Sequence, residues 1–184
     1  MRSDVTLRPL DEVLLQDLLD AAVADADPCE VMPPVAGPDG WTAERQAAFL
    51  RFHRSRSLSA ESVETTFAVV VGEAVVGAAR LCPREDVKHA VEAGVWIGRS
   101  HRGSGVGGAV LRHLLVLAGT DGFESLFVST RPDNTAVHRL LAALGADPVR
   151  EGDAVTAWVD LAAARWKTSR LAACGVHAPR PGHE

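Results

Sequence analysis

The feature that most constrains this chain is a cluster of glycines directly after Arg102, with the sequence GSGVGG over residues 103–108. An apolar stretch typical of a β-strand precedes the cluster, and apolar residues at helical spacing follow it. Glycines let backbone N–H groups approach an anion without a Cβ atom in the way, and a helix N-terminus adds a partial positive charge. The segment therefore predicts a strand, a turn that binds pyrophosphate and a helix, although a plain connecting turn also fits it.

A dinucleotide-binding fold is an alternative, because Gly103, Gly105 and Gly108 also satisfy the pattern G-x-G-x-x-G. In that fold the strand leads directly into the first glycine, whereas residues 99–102 intervene here. The strand after the helix ends at Thr130, followed by an arginine where an acidic ribose ligand is wanted, and too few residues remain for a doubly wound sheet. These observations count against a nicotinamide-dependent enzyme.

Hydrophobic periodicity and turn residues place the other elements of secondary structure. Asp11 is a plausible N-cap for the first helix, and Asp133 or Asn134 is one for the last. The segment 27–40, rich in proline, is expected to be a loop with little regular structure. Strands are predicted at 5–8, 66–71, 74–82, 89–97, 125–130, 148–151 and 155–161, and the later helices at 42–56, 105–118 and 134–144.

Length and charge narrow the class of protein. The 184 residues suit one domain over 1–161, followed by a tail over 162–184 that is expected to be partly disordered. A net charge of −5 and a pI of about 5.8 give no basic field for nucleic acid. The three cysteines are far apart, without zinc-ligand spacing, and no signal peptide or membrane span is evident. We expect a cytoplasmic protein with reduced thiols that binds neither nucleic acid nor a membrane.

The signature around Arg102 points to one family. Arg102, Gly105 and Gly107 match the pattern of Arg or Gln, two residues, Gly, one residue, then Gly or Ala. The elements around it, which cover residues 66–161, follow the same order, and the chain resembles the GCN5-related N-acetyltransferase (GNAT) family. The resemblance implies an N-acetyltransferase with an α/β fold, in which a mixed, mostly antiparallel twisted sheet of six to seven strands is flanked by about four helices.

The resemblance also implies that acetyl-CoA binds as a cosubstrate, with no metal ion. Its pyrophosphate would lie on the backbone amides of the glycine cluster, and its pantetheine arm would pair with the preceding strand. Asn134 matches an asparagine near that arm in the family, although a plain helix N-cap explains it equally well. The expected cofactor-binding residues are Val95, Trp96, Ile97, Arg102, Gly103, Ser104, Gly105, Val106, Gly107, Gly108 and Asn134.

The catalytic residues are less well defined. Glu92, ten residues before Arg102, resembles the general-base glutamate of several family members, although an exposed strand carboxylate is the alternative. Many members carry a tyrosine that protonates the leaving thiolate; Leu141 stands at that position, and the chain contains no tyrosine. His138, one turn away on the same helix, is the candidate acid, and water or solvent is the alternative.

The acceptor pocket of this family is built by the first two helices and their connecting loop, here residues 11–56. The resemblance implies a small-molecule amine as acceptor; a protein N-terminus or lysine, or a non-catalytic acyl-CoA sensor, are the alternatives, and a homodimer is compatible with it. An amine could be attracted by the acidic residues Asp25, Asp27 and Glu30. An anion could be attracted by the basic residues Arg45, His53, Arg54 and Arg56. The walls of the pocket could include the aromatic residues Trp41 and Phe52.

Overall fold

A computed structural model describes residues 4–163, which form one twisted sheet with helices on both faces. The strand order is β1-β2-β3-β4-β5-β7-β6, and among the described residues the pairing of β4 with β5 is the one parallel pairing. This arrangement confirms the predicted fold. The strands are β1 (Val5–Pro9), β2 (Thr65–Val71), β3 (Ala74–Pro83), β4 (Ala90–Ile97), β5 (Ser125–Thr130), β6 (Val149–Glu151) and β7 (Ala154–Asp160).

Four helices of ten or more residues flank the sheet within this part of the chain. The predicted N-caps form: Asp11 Oδ1 accepts a hydrogen bond from the Leu14 N–H at 2.8 Å, and Asn134 caps the last helix. The helices are α1 (Glu12–Asp25), α2 (Pro28–Val31), α3 (Ala43–His53), α4 (Val106–Thr120) and α5 (Thr135–Leu144), with a π-helical turn at Arg54–Leu58 and a 3₁₀ turn at Arg99–His101.

The expectation of an irregular loop over residues 27–40 is wrong at its start, where α2 forms. Asp27 accepts a hydrogen bond from the Cys29 N–H, and Glu30 reaches back to the Asp27 N–H. This reciprocal capping, with Pro28 at the first helical position, stabilises a single helical turn. The short helix fixes Glu30 at a defined place beside the sheet.

Two hydrophobic cores lie on opposite faces of the sheet. Val91 and Ala93 belong to the core under α4 and α5, whereas Ala78 belongs to the core under α1 and α3. Successive residues of a strand point to opposite faces, so Glu92 and Trp96 point away from the α4 face. Trp96 packs against the α1 and α3 core, as this alternation requires.

The remaining sequence expectations have mixed outcomes. Gly72 and Gly152 form the tight turns between the strands predicted at 66–71 and 74–82 and at 148–151 and 155–161, with φ of +62° and +61°. Cys29 and Cys82 are free thiols, whereas Cys174 and the predicted tail beyond residue 163 lie outside the described residues. None of the helices within residues 4–163 has the length and hydropathy that crossing a bilayer requires.

Candidate active site

The central feature of the site is a gap between β4 and β5. Their parallel pairing covers Ala90 to Ala93 of β4 and ends where Ala93 faces Val128. Beyond that point β4 continues to Ile97 on the β3 side alone, while β5 continues against β7. Residues 94–97 therefore present a strand edge without a β5 partner, and an extended ligand can pair with such an edge. Val95, Trp96 and Ile97, which the sequence assigned to the pantetheine arm, lie on this edge.

The glycine turn lies at the start of α4. Gly103 and Gly105 have φ values of +71° and +86°, a conformation that L side chains rarely adopt. Gly105 is the N-cap of α4, and no side chain within residues 4–163 caps the helix. The first N–H groups of a helix have no partner within the helix, so this uncapped turn offers donors to an anion.

The space around Gly107 and Gly108 indicates whether the glycine turn is shaped for a ligand. A Cβ atom at Gly107 would meet no atom within 4 Å, and one at Gly108 would meet only Arg112, at 3.9 Å. Glycine in a helix destabilises it by about 1 kcal/mol relative to alanine, so the fold alone gives no reason for glycine at either position. A phosphate group resting against the helix start does give a reason. The turn thus fits the pyrophosphate of coenzyme A.

Arg102 connects this turn to two other elements. Its Nε donates to the Ile97 carbonyl at 2.8 Å, and its Nη2 donates to Glu30 Oε2 at 2.8 Å. The Arg102 hydrogen bond lowers the pKa of Glu30, and Arg99 lies 3.7 Å from the same carboxylate. Ser104 Oγ donates to the His101 carbonyl. The side chains of Arg102 and Ser104 therefore hold the end of β4, α2 and the glycine turn together.

Asn134 joins the end of β5 to the start of α5. Its Oδ1 accepts from the Val137 N–H at 3.3 Å, and its Nδ2 donates to Thr130 Oγ1 at 2.9 Å. Asn134 therefore forms the helix N-cap that was one of its two expected roles. Because Thr130 lies beyond the last β4–β5 pair, this bond also fixes one wall of the gap.

Glu92 lies on β4 within a row of alternating charges. Its Oε1 accepts from Arg80 Nη2 at 2.8 Å, and its Oε2 lies 3.5 Å from Arg84 Nη1. Arg80 also lies 3.4 Å from Glu64, a carboxylate with no exposed surface that Arg56 contacts at 2.8 Å. The Glu92 side chain keeps 31% of its surface exposed, so solvent reaches it. The carboxylate is thus held in position by two arginines and remains accessible to solvent.

The candidate general acid, His138, and Leu141, which stands at the position of the family's tyrosine, both lie on α5. Leu141 has no exposed surface and belongs to the core under α4 and α5, so this position offers no proton donor. His138 is half-buried, and its Nε2 is buried without a hydrogen-bond partner among residues 4–163. The hydrogen-bonding capacity of this ring nitrogen is therefore unused within the described part of the chain.

Comparison with known proteins defines the family. A model of the acetyltransferase (GNAT) family matches residues 27–146, more than half of the chain. The chain belongs to the GNAT acetyltransferase family. The predicted enzyme class, an N-acetyltransferase, is confirmed at this level. No curated protein matches the sequence.

Solved structures share the GNAT fold at low sequence identity. An N-acetyltransferase from Staphylococcus aureus has a TM-score of 0.57 and 18% identity, with 86% of this chain and 99% of that chain covered. A dodecameric spermidine N-acetyltransferase from Vibrio cholerae has a TM-score of 0.61 and 14% identity, with 87% and 95% covered. The Salmonella typhimurium protein yncA, solved with its cofactor acetyl-CoA, has a TM-score of 0.58 and 18% identity, with 86% and 95% covered.

The charged residues expected around the acceptor of this GNAT protein are mostly engaged elsewhere. Asp25 accepts hydrogen bonds from the hydroxyl and the N–H of Ser100, which lower the pKa of Asp25. Arg45 is buried and donates to loop carbonyls such as that of Gly40, at 2.8 Å. These two side chains are therefore engaged within the fold, and the expectation that they attract an acceptor stays a prediction. Likewise Asp27 caps α2, Arg54 pairs with Glu12, and Trp41 packs in the core under α1 and α3.

A cavity of about 170 Å³ lies beside the free edge of β4, between the sheet and helices α2 and α3. Phe52 lines it, as the sequence allowed, together with His53, Arg80 and Trp96. Sequence reasoning did not identify Arg80, because its partners Glu64 and Glu92 are brought to it only by strand pairing. It considered His53 only as a positive charge, whereas the structure shows a buried ring.

His53 is held neutral. Burial lowers its pKa to about 4; the charge of Glu64 opposes this shift, and that of Arg56 adds to it. Its ring packs against those of Phe49 and Phe52, with centroids 4.5 and 5.2 Å away. At neutral pH the imidazole therefore offers one N–H donor and one nitrogen acceptor.

We expect His53 to make the protein less stable in acid. The pKa is about 6.5 in the unfolded chain and about 4 in the folded protein, so the unfolded chain takes up the proton first as the pH falls. The free energy of unfolding should be unaffected above pH 6.5 and should fall by up to about 3 kcal/mol between pH 6.5 and 4. Urea denaturation at pH 7 and 5 should show a smaller loss for His53→Phe than for the wild type. Equal losses of unfolding free energy in the wild type and in His53→Phe would contradict the lowered pKa of His53. The control variant is His113→Phe, because His113 lies on the exposed face of α4.

Proposed function

We propose that this protein transfers the acetyl group of acetyl-CoA to the primary amine of a small molecule by direct attack on the thioester. The observation that carries the proposal is the gap between β4 and β5, which begins at Ala93 and adjoins both the glycine turn and the cavity. The turn supplies phosphate donors, the free edge of β4 supplies strand pairing, and the cavity supplies room for an acceptor. The spermidine N-acetyltransferase and the acetyl-CoA complex among the similar structures support this assignment.

The size of the cavity favours a small acceptor. About 170 Å³ is close to the roughly 150 Å³ of an engineered cavity that holds benzene, so it accommodates a group of a few heavy atoms. A protein N-terminus or a lysine side chain is the alternative acceptor. It would place only its end in the cavity and leave the rest of the polypeptide outside.

The proposed reaction needs two proton transfers. The amine nitrogen forms a bond to the carbonyl carbon as it loses a proton, and the carbon–sulfur bond breaks as the sulfur gains one. We assign the first proton to Glu92, directly or through a water, because its carboxylate is fixed by Arg80 and accessible to solvent. We assign the second to His138, whose Nε2 has no partner among the described residues.

A panel of amines and peptides, incubated with acetyl-CoA and read by the release of free thiol, tests the function. We expect thiol release with small primary amines and little with peptides. The buried Leu141 at the position of the family's tyrosine favours a second candidate, a non-catalytic acyl-CoA sensor. Tight acetyl-CoA binding without thiol release from any acceptor would support the sensor and contradict the enzyme.

The role of His138 can be tested separately. If it protonates the thiolate, His138→Ala should lower kcat by about 10²-fold while leaving acetyl-CoA affinity nearly unchanged. Steady-state kinetics with the best amine, together with calorimetric titration of acetyl-CoA, measures both quantities. His113→Ala, an exposed histidine on α4, is the matched control. A decrease in kcat below about threefold would assign this proton to water instead.

The oligomeric state and the cytoplasmic location stay predictions. The resemblance is compatible with a homodimer, and the similar spermidine N-acetyltransferase from Vibrio cholerae is dodecameric. We propose that this protein also self-associates, and light scattering across a range of concentrations measures its assembly. A mass that stays at 19.5 kDa would contradict the proposal.

A further inference from the structure

The cavity beside β4 contains buried polar atoms that the proposed reaction does not use. Within residues 4–163, four buried side-chain nitrogen or oxygen atoms lack a hydrogen-bond partner. Three of them, His53 Nδ1, His53 Nε2 and Trp96 Nε1, belong to two residues that line this one cavity. Buried polar groups are nearly always satisfied, so unpartnered atoms gathered around a cavity indicate a ligand that satisfies them.

We propose that the cavity recognises the acceptor by a neutral group that both accepts and donates hydrogen bonds, such as a carboxamide or a hydroxyl. The cavity lies along Gly94, Val95 and Trp96, the free edge of β4. If the amine of the acceptor reaches a thioester bound at this edge, the other end of the acceptor lies in the cavity and points toward α3. The inference rests on the proposed function for the position of the amine, and it adds the chemical class of the acceptor.

The hydrogen-bonding capacity of the two side chains selects this class. The indole of Trp96 is a donor only, and the neutral imidazole of His53 is one donor and one acceptor. The two nitrogens of one imidazole point in divergent directions, so a single ligand group reaches only one of them. A carboxamide can accept from the indole N–H through its oxygen and donate to one ring nitrogen through its NH₂ group. A hydroxyl can do the same, whereas an alkyl group satisfies neither side chain and an ammonium can satisfy only the imidazole.

The charges around the cavity disfavour a second ammonium on the acceptor. Glu64 is held by Arg56 and Arg80, and Glu30 is held by Arg102 and Arg99. Glu92, two residues before Gly94 at the cavity edge, is likewise held by Arg80. A cation entering the cavity would approach the Arg80 guanidinium and would have to displace an arginine to reach a carboxylate. The cavity is therefore suited to a monoamine with a neutral polar end and unsuited to a polyamine.

Binding in the absence of turnover tests the inference. The protein is saturated with coenzyme A, which carries no acetyl group, and titrated calorimetrically with four amines of similar size: β-alaninamide, aminopropanol, butylamine and diaminopropane. We expect β-alaninamide and aminopropanol to bind at least about tenfold more tightly than the other two, because only they satisfy the buried donors. Equal binding of all four amines, preference for diaminopropane, or no binding of any of them would overturn the inference.

Variants of the two side chains make the test specific. His53→Phe and Trp96→Phe each keep an aromatic ring and remove the unpartnered nitrogens, so each should bring the ratio of β-alaninamide to butylamine affinity toward one. His113→Phe, exposed on α4, should keep the wild-type ratio. The free energy of unfolding of each variant, measured by urea denaturation, shows whether it is folded. A ratio that persists in both His53→Phe and Trp96→Phe would overturn the inference.

The two proposals fail in different ways. Thiol release from β-alaninamide and butylamine with equal kcat/KM would refute the acceptor class and keep the acetyltransferase. Selective binding of β-alaninamide without thiol release would keep the acceptor class and refute turnover. A shift of the Trp96 indole N–H resonance on addition of β-alaninamide, assigned by its absence in Trp96→Phe, would place the ligand in the cavity.

Discussion

Replacing Gly107 with glutamate should abolish acetyl-CoA binding, the largest effect that the structure predicts for the cofactor. The new carboxylate would lie at the start of α4, where it fills the space for phosphate and repels its charge. Gly107 is a cleaner target than Gly105, because Gly105 has a φ of +86° and any side chain there would also strain the turn. Calorimetric titration of acetyl-CoA measures the loss.

Two matched variants separate binding from folding. Gly107→Ala should weaken acetyl-CoA binding and yet raise the free energy of unfolding by about 0.5–1 kcal/mol, since its Cβ meets no atom within 4 Å. Val116→Glu puts the same charge on an exposed position of α4 and should leave binding unchanged. Undiminished binding in Gly107→Glu would remove the site assignment. A titration with NADH should show no binding, and clear binding would revive the dinucleotide alternative.

Replacing Glu92 with glutamine should lower kcat by about 10²- to 10⁴-fold, the usual contribution of a general base. Glutamine keeps the size of the side chain and can still accept a hydrogen bond from Arg80, but it does not take up a proton. Acetyl-CoA affinity should hold. Steady-state kinetics with the best amine and calorimetric titration of acetyl-CoA measure these two quantities.

The ion pairs of Glu92 require a further control. Glu92→Gln also weakens the attraction to Arg84, which lies 3.5 Å away and stacks over Phe127. Arg84→Gln removes that pair and keeps the carboxylate, so it should retain most of the turnover if Glu92 is the base. Glu73→Gln, in the exposed turn between β2 and β3, is the control for the loss of charge. A Glu92→Gln enzyme with more than half of the wild-type turnover would exclude the base role and leave attack by an already neutral amine.

The sequence by itself determined the elements of secondary structure and the glycine turn before α4. Helix caps at Asp11 and Asn134, tight turns at Gly72 and Gly152, and the glycine cluster before α4 depend on residues close together in the chain. Local geometry of this kind is specified by short-range hydrogen bonds and by the steric freedom of glycine. The order of these elements was sufficient to indicate the GNAT fold, and the structure confirms it.

Only the tertiary structure decided what each side chain does in the site. Glu92, Arg80 and Glu64 meet because antiparallel pairing brings β2, β3 and β4 side by side, a consequence of register between segments far apart in sequence. Burial beneath the aromatic rings of α3 made His53 a neutral hydrogen-bonding group, although its neighbours in sequence are largely basic. Desolvation depends on the packing of the whole domain, and no local pattern in the sequence records it.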